Sequence, residues 1–395
     1  MAPDELIEQL IQRLSDQEDG MPGAAANAIA AIGSPALQPL TAALSSANWR
    51  ARCRAAWALG RIGDASVAPA LCSALADSDW SVREHAREAL VCIGAGAVPP
   101  LMDALAHRDW AARRLAVEAL EAIGDPRAVP ALCSALADNN PDVRASAAKA
   151  LASLPDQAAV LPLCQALRDR SRPVAEWAAK ALVAVGASAI APVCDALSDP
   201  DWAVRVNAAE VLCAVAAPQS LAALVRALAD QEPDVRRLAS SALVRIGPAA
   251  VPALCAALQD DSPLAQEAAA RTLAAMAEAQ PNPPLRAALP QLRHLSQTSG
   301  GQTRDAAYSA LEAIEAATAS MRDLPLPADP PALELGELPV PSHAPNGSTG
   351  SLPVALGPAA GSSGSDAPQR SRGRPAAGRL ARWLDALLGR ADPGT

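Results

Sequence analysis

The chain has 395 residues, of which 51% are hydrophobic and 19% charged, with a formal net charge of -9. That acidic balance excludes a default affinity for nucleic acid, whose phosphates need a cationic face. Phe is absent and Tyr308 is the single tyrosine, so an aromatic-rich interior is excluded too, and small aliphatic residues must pack closely approaching helices. Met1 to Leu10 carries Asp4, Glu5 and Glu8 and lacks a basic stretch followed by an apolar one, so no signal peptide is expected and a cytoplasmic protein is. No eighteen apolar residues run without a charge, so no transmembrane helix is expected.

Along the chain, a degenerate opening unit at Leu14, Ile29 and Ile32-Gly33 gives way to a strict repeat. Leu44, Leu75, Leu105, Leu136, Leu167, Leu197, Leu228 and Leu258 form one series; Leu59, Leu90, Leu120, Leu151, Leu182, Leu212, Leu243 and Leu273 form another. Both step by 30 or 31 residues. A fixed period of that size, carried by two apolar positions, means one small unit stacked many times.

Ala68 to Gly94 is representative. Leu71, Cys72 and Leu75 share one helical face, Asp77, Ser78 and Asp79 interrupt and offer caps, and Val82, Ala86, Ala89, Leu90 and Ile93 line a second helix. Gly94 stands where a left-handed C-terminal cap is wanted. Prolines such as Pro69, Pro99 and Pro130 open the first helix, where a missing N–H costs little. The expected fold is therefore all-α: a solenoid of about ten helix pairs over residues 4–317.

Several columns recur in the second helices. Ala55, Ala86, Ala116, Ala147, Ala178, Ala208, Ala239 and Ala269 set the stacking distance. Arg52, Arg83, Arg113, Arg144, Arg205 and Arg236, broken at Ala175, sit in the first turn and call for acids such as Asp79 or Asp109, giving a structural ladder. Cys72, Cys133, Cys164, Cys194 and Cys255 precede framework leucines by three residues and read as reduced small hydrophobes, too far apart for disulfides.

Trp49, Trp80, Trp110 and Trp202 open second helices near the rim, either covering the adjacent loop or offering a discontinuous aromatic row to a partner. Trp57 and Trp177 fall in columns that elsewhere hold Glu88, Glu118, Lys149, His85 and Asn207, which read as solvent-facing, so they are contact candidates. Glu84, Glu88, Arg114 and Glu118 complete the proposed partner-binding set. Second helices commonly line the concave side of a solenoid, which makes an acidic concave groove the expected docking surface for another protein.

The last unit uses Leu295, Leu311 and Ile314 and is offset by an insertion, Gln280 to Pro284, expected to kink the array or loop outward. Residues 318–378, rich in Pro, Gly, Ser and Ala, cannot fund a core and read as a disordered linker. In residues 379–389, Leu380, Trp383, Leu384, Leu387 and Leu388 occupy i, i+3, i+4, i+7 and i+8 of a short amphipathic docking helix. Protein docking is favoured there over an anionic membrane surface, because one Trp and four Leu give little membrane affinity.

The stretch from Asp77 to Gly94, with Asp125 to Leu132, resembles the HEAT-like repeats first associated with phycobilisome lyases. That resemblance implies the same helix-pair solenoid and, as an alternative to a protein-binding adaptor, a lyase or lyase subunit that helps attach a bilin to cysteines of antenna proteins. No catalytic motif of that family can be placed on these residues, so no catalytic residue, metal or cofactor is assigned; bilin enters only under the alternative. A second HEAT-like class, deoxyhypusine hydroxylase, needs repeated His-Glu pairs for iron, whereas Glu84-His85 is reversed and stands alone.

Overall fold

The computed structural model describes residues 3–14, 24–279 and 283–320. Among these residues all regular structure is helical, from Pro3–Arg13 to Gly301–Ser320, arranged as ten consecutive helix pairs. Residues 321–395, which hold most of the expected linker and the whole docking helix with Leu380, Trp383, Leu384, Leu387 and Leu388, lie outside the described residues.

Each central unit is built the same way. A single 3-10 turn feeds a seven-residue first helix such as Ala68–Ala74, and a turn leads to a second helix of about twice that length such as Trp80–Ile93. The turn is fixed by side-chain acceptors. Asp77 Oδ1 accepts from Asp79 N–H at 2.8 Å, and Asp79 Oδ1 accepts from Ser81 and Val82 N–H at 2.8 and 3.3 Å, which caps the second helix. Asp138, Asp169, Asp199, Asp230 and Asp260 repeat the first bond in their own turns. In one unit a neutral imidazole does this work, with His107 Nδ1 accepting from Asp109 N–H at 3.1 Å.

Both leucine series face the interior: Leu75, Leu167 and Leu228 of the first and Leu90, Leu120 and Leu151 of the second are buried, while Leu44 and Leu105 are half-buried against the core. Each such burial contributes about 2 kcal/mol. Every alanine of the column from Ala55 to Ala269 is also fully buried, which lets successive second helices pack directly against one another. They make much denser contact with each other than the short first helices do. At the tightest point no side chain fits at all: a Cβ on Gly60 would lie 2.6 Å from Ala89 Cα.

The alternation between 30 and 31 residues has a local cause. In three of the four 31-residue steps the second helix ends in a left-handed residue, Gly63 (φ 75°, ψ 19°), Gly124 (φ 73°, ψ 24°) or Ala216 (φ 48°, ψ 45°), and in the fourth in Leu154 (φ -124°, ψ 66°); an extra residue, Asp64, Asp125, Ala217 or Asp156, then precedes the next 3-10 turn, the three aspartates as side-chain caps. In 30-residue steps that extra capping residue is missing. Gly94, Gly186 and Gly247 keep a positive φ but swing to ψ between -126° and -143°, and the 3-10 turn begins on the glycine itself. Gly94 is therefore not the αL cap the sequence suggests; its backbone is one that only glycine adopts cheaply.

Two further expectations meet the structure. Residues 172–196 and 233–257 are apolar enough on average for a membrane span, with mean hydropathy 1.6 and 1.5, although charges interrupt both. Each is two helices interrupted by a 3-10 turn at Gly186 or Gly247, and its leucines and alanines belong to the shared core. The insertion also does not simply loop outward. Residues 280–282 lie outside the described residues, but Pro283–Ala288 forms 3-10 turns that return Leu285 and Ala288 to the interior.

Candidate binding surface

The first-turn arginines form a ladder, though not to the acids expected. Asp79 and Asp109 are committed to capping, and the ladder uses the preceding turn column. Arg52 pairs with Asp77 (Nε–Oδ2 2.6 Å, Nη2–Oδ1 2.7 Å), Arg113 with Asp138 (2.6 and 2.7 Å), Arg144 with Asp169 (2.6 and 2.9 Å) and Arg205 with Asp230 (2.7 and 3.0 Å). Each guanidinium spends its third nitrogen on its own turn, as in Arg113 Nη1 donating to His107 carbonyl at 2.8 Å. The partner always lies 25 residues on, a spacing present in the sequence that a search for nearby acids passes over. Burial pushes the Asp138 carboxyl up, but the Arg113 bond, the Asn140 N–H and the surrounding positive charge more than offset it, and the group sits below its ordinary value. The same balance lowers Asp77, Asp169 and Asp230. These residues are structural, and what remains for function is the surface they hold in place.

That surface is a strip along the second helices, four and eight residues after the helix start. Glu88 is exposed; Glu84 and Glu118 are half-buried and paired, Glu84 with Arg87 and Glu118 with Arg114 at 2.9 Å. The next units continue it with Lys149, whose ammonium reaches Glu121 of the preceding unit at 3.1 Å, and with Lys180 and Glu210.

The column five residues after the helix start is different. Arg54 there is 1% exposed and donates to Leu14 carbonyl at 2.8 Å, and Leu115 is buried. Trp177 belongs to this seam between neighbouring second helices, and Trp57 likewise packs on the core; both are half-buried rather than solvent-facing as expected. Each has a cation from its own chain: Lys180 Nζ lies 4.4 Å from the Trp177 ring centroid and the Arg61 guanidinium 6.0 Å from that of Trp57.

The rim tryptophans are the exposed ones. Trp80 is 67% exposed, Trp202 58%, Trp110 42% and Trp49 36%. Trp110 lines a shallow groove of about 390 Å³ with Arg114, Asp142, Ala145 and Ser146.

One contact has the look of a nucleophile pair. Cys53 Sγ lies 3.3 Å from His85 Nδ1, but the same Nδ1 is 2.8 Å from Ser81 carbonyl, which requires Nδ1 to carry its proton and donate it there. Burial pushes the Cys53 thiol up to about 11. The imidazole therefore has no lone pair at Nδ1 to take the thiol proton, and the pair packs the seam. All eight cysteines are free, with Cys72 buried and driven by burial up to about 12. Among the described residues no cluster of three or more His, Cys, Asp or Glu could hold a metal.

Stacked antiparallel helix pairs sharing one continuous core define an α-solenoid. The HEAT-repeat family pattern matches residues 7–91 and, in overlapping segments, 98–312, and the chain belongs to that family. No curated protein matches it. Among solved structures, Kap121p matches at 16% identity over 82% of this chain and 43% of its own, with a TM-score of 0.50. An engineered protein matches at 22% identity over 78% of this chain and 99% of its own, with a TM-score of 0.36. The complex of CpcE and CpcF of phycocyanin lyase from Nostoc sp. PCC7120 matches at 26% identity over 38% of this chain and 99% of its own, with a TM-score of 0.32. The chain thus spans less than half the length of Kap121p.

Proposed function

We propose that this protein is a binding scaffold that holds another protein along the strip of its second helices, with the C-terminal segment 379–389 as a tethered second contact. The observation that carries this reading is the division within each second helix. One face is sealed by alanine and leucine, while the opposite face carries Glu84, Arg114 and Glu118, half-buried and paired along the helix, beside the exposed Glu88. The dense contact between second helices supports placing that face on the shorter, concave arc. The tether adds a second, intramolecular binding event and so raises avidity without new surface.

The test is a quantitative pull-down with the full chain as bait, comparing it with a Glu84→Lys, Glu88→Lys, Glu118→Lys variant. Capture of the principal partner should fall by about tenfold or more while the helical circular dichroism is unchanged. Undiminished capture removes the strip from the reading.

A rival proposal, a bilin lyase or lyase subunit, is favoured by the Asp-Trp-x-Val-Arg stretches and by exposed indoles on which a planar tetrapyrrole can stack. Such a protein could act chiefly by proximity, holding chromophore against an antenna cysteine. Co-expression with an apo-antenna subunit and free bilin separates the two: covalent fluorescence supports the lyase, its absence the scaffold.

A further inference from the structure

The six described tryptophans fall into two groups. Trp49, Trp57 and Trp177 each have a cation of their own chain over the ring, Arg50 standing 4.7 Å from the Trp49 centroid. Among the described residues none lies over Trp80, Trp110 or Trp202. The capping residue divides the rim rings the same way. Trp49 follows a neutral cap, Asn48, whereas Trp80, Trp110 and Trp202 follow Asp79, Asp109 and Asp201. Each of these carboxylates spends Oδ1 on the helix N–H groups, and its Oδ2 has no donor among the described residues. An exposed indole face beside a carboxylate with an open oxygen is a two-part receptor for a guanidinium or ammonium: the ring attracts the charge and the acid accepts its N–H.

We propose that Asp79–Trp80, Asp109–Trp110 and Asp201–Trp202 are three pockets for the Arg or Lys side chains of an extended basic segment of a partner protein. Adjacent helices in a stack are about 10 Å apart, so Trp80 and Trp110 take cations about three residues apart in an extended chain, and Trp202, three units further on, takes one about nine residues beyond. The groove beside Trp110 is shared with the next second helix, with Asp142 as a further acid on its wall and Arg114 held by Glu118. The acidic net charge of the chain adds long-range attraction for such a partner.

This inference rests on the scaffold reading and assigns the partner's chemistry. The probe is a synthetic fifteen-residue peptide with Arg at every third position and Ser and Gly between, titrated into the full chain by calorimetry and tryptophan fluorescence. Binding that weakens with salt, and by about tenfold or more in a Trp80→Ala, Trp110→Ala, Trp202→Ala variant, is expected. Asp79→Asn, Asp109→Asn and Asp201→Asn should weaken it similarly while retaining the helix caps, since Asn caps as well as Asp. Equal binding of a Glu-for-Arg peptide, or no loss in either variant, overturns the proposal. So does binding that appears only after Arg370, Arg372 and Arg374 are changed to Ala, which would make the chain's own tail the occupant. A failed peptide titration alongside a successful charge-reversal pull-down removes these pockets and leaves the scaffold standing.

Discussion

At the scale of single residues, the ladder arginines show why a charged side chain belongs in an alanine-rich stack. Arg113 is 8% exposed, and its guanidinium meets Asp138 through two parallel bonds, Asn139 through a third, and its own turn's carbonyls. Bidentate geometry of this kind fixes both distance and rotation between neighbouring units. Arg113→Ala leaves the Asp138 carboxylate half-desolvated without its partner, and urea unfolding should report a loss of about 2–3 kcal/mol. Arg113→Lys should recover only part, because an ammonium cannot reproduce the fork. The acid side carries a pH signature. Asp77, Asp138, Asp169 and Asp230 have folded pKa values below their ordinary 3.8, so the stability they contribute is complete above that value and drains away as pH falls through the lower folded ones. An acid titration of the Arg113→Ala chain should accordingly be shallower than that of the parent.

At the scale of the helix pair, the connection between units determines the repeat length. Ala216 holds the place of the left-handed capping glycine at φ 48°, ψ 45°, a conformation costing an L-residue about 1–2 kcal/mol, and it is the one non-glycine residue with positive φ among those described. Ala216→Gly should therefore raise stability by about 0.5–1 kcal/mol, after allowing for the greater freedom of glycine in the unfolded chain, with the melting temperature as readout. Much of the pair was legible beforehand. The leucine and alanine columns lie inside as their period requires, because a 3.6-residue helix leaves little choice about which side a fixed series faces. What the period left undetermined was anything set by contact between units. Glu88 and His85 suggested open columns, yet a seam runs five residues after the helix start and holds Trp177 half-buried. The acids nearest in sequence to the arginines, Asp79 and Asp109, turned out to be caps, and four of the six first-turn arginines reach across to the acid of the following turn instead. The exposure of Trp80, Trp110 and Trp202 is likewise set by packing at the rim, which the period does not report.

At the scale of the whole array, the ladder is interrupted in a regular way. All four pairs cross 31-residue steps. At the 30-residue steps through Gly94, Gly186 and Gly247 the ladder bond is absent among the described residues: His107 stands where the acid would be for Arg83, Ala175 stands where the arginine would be, and Arg236 bonds only carbonyls of its own turn. At the Ala175 step a substitute, Arg168, reaches Asp199 from an exposed position. Amide hydrogen exchange should locate the fastest-opening second-helix interfaces at Arg83 and Arg236, with the units joined by Arg113 and Arg144 exchanging as one slow block; uniform exchange across all interfaces counts against this.

That exchange pattern would make the omission of a single residue at Gly94 and Gly247 a pivot in the column, the third short step, at Gly186, being braced by Arg168. Under the scaffold proposal, a partner lying across several units would then meet stiff segments joined by compliant ones, like the links of a watch strap, and would pull the curvature to its own contour without melting a helix. Trp80 and Trp110 stand on opposite sides of the first pivot, so a ligand gripping both rings would lock it.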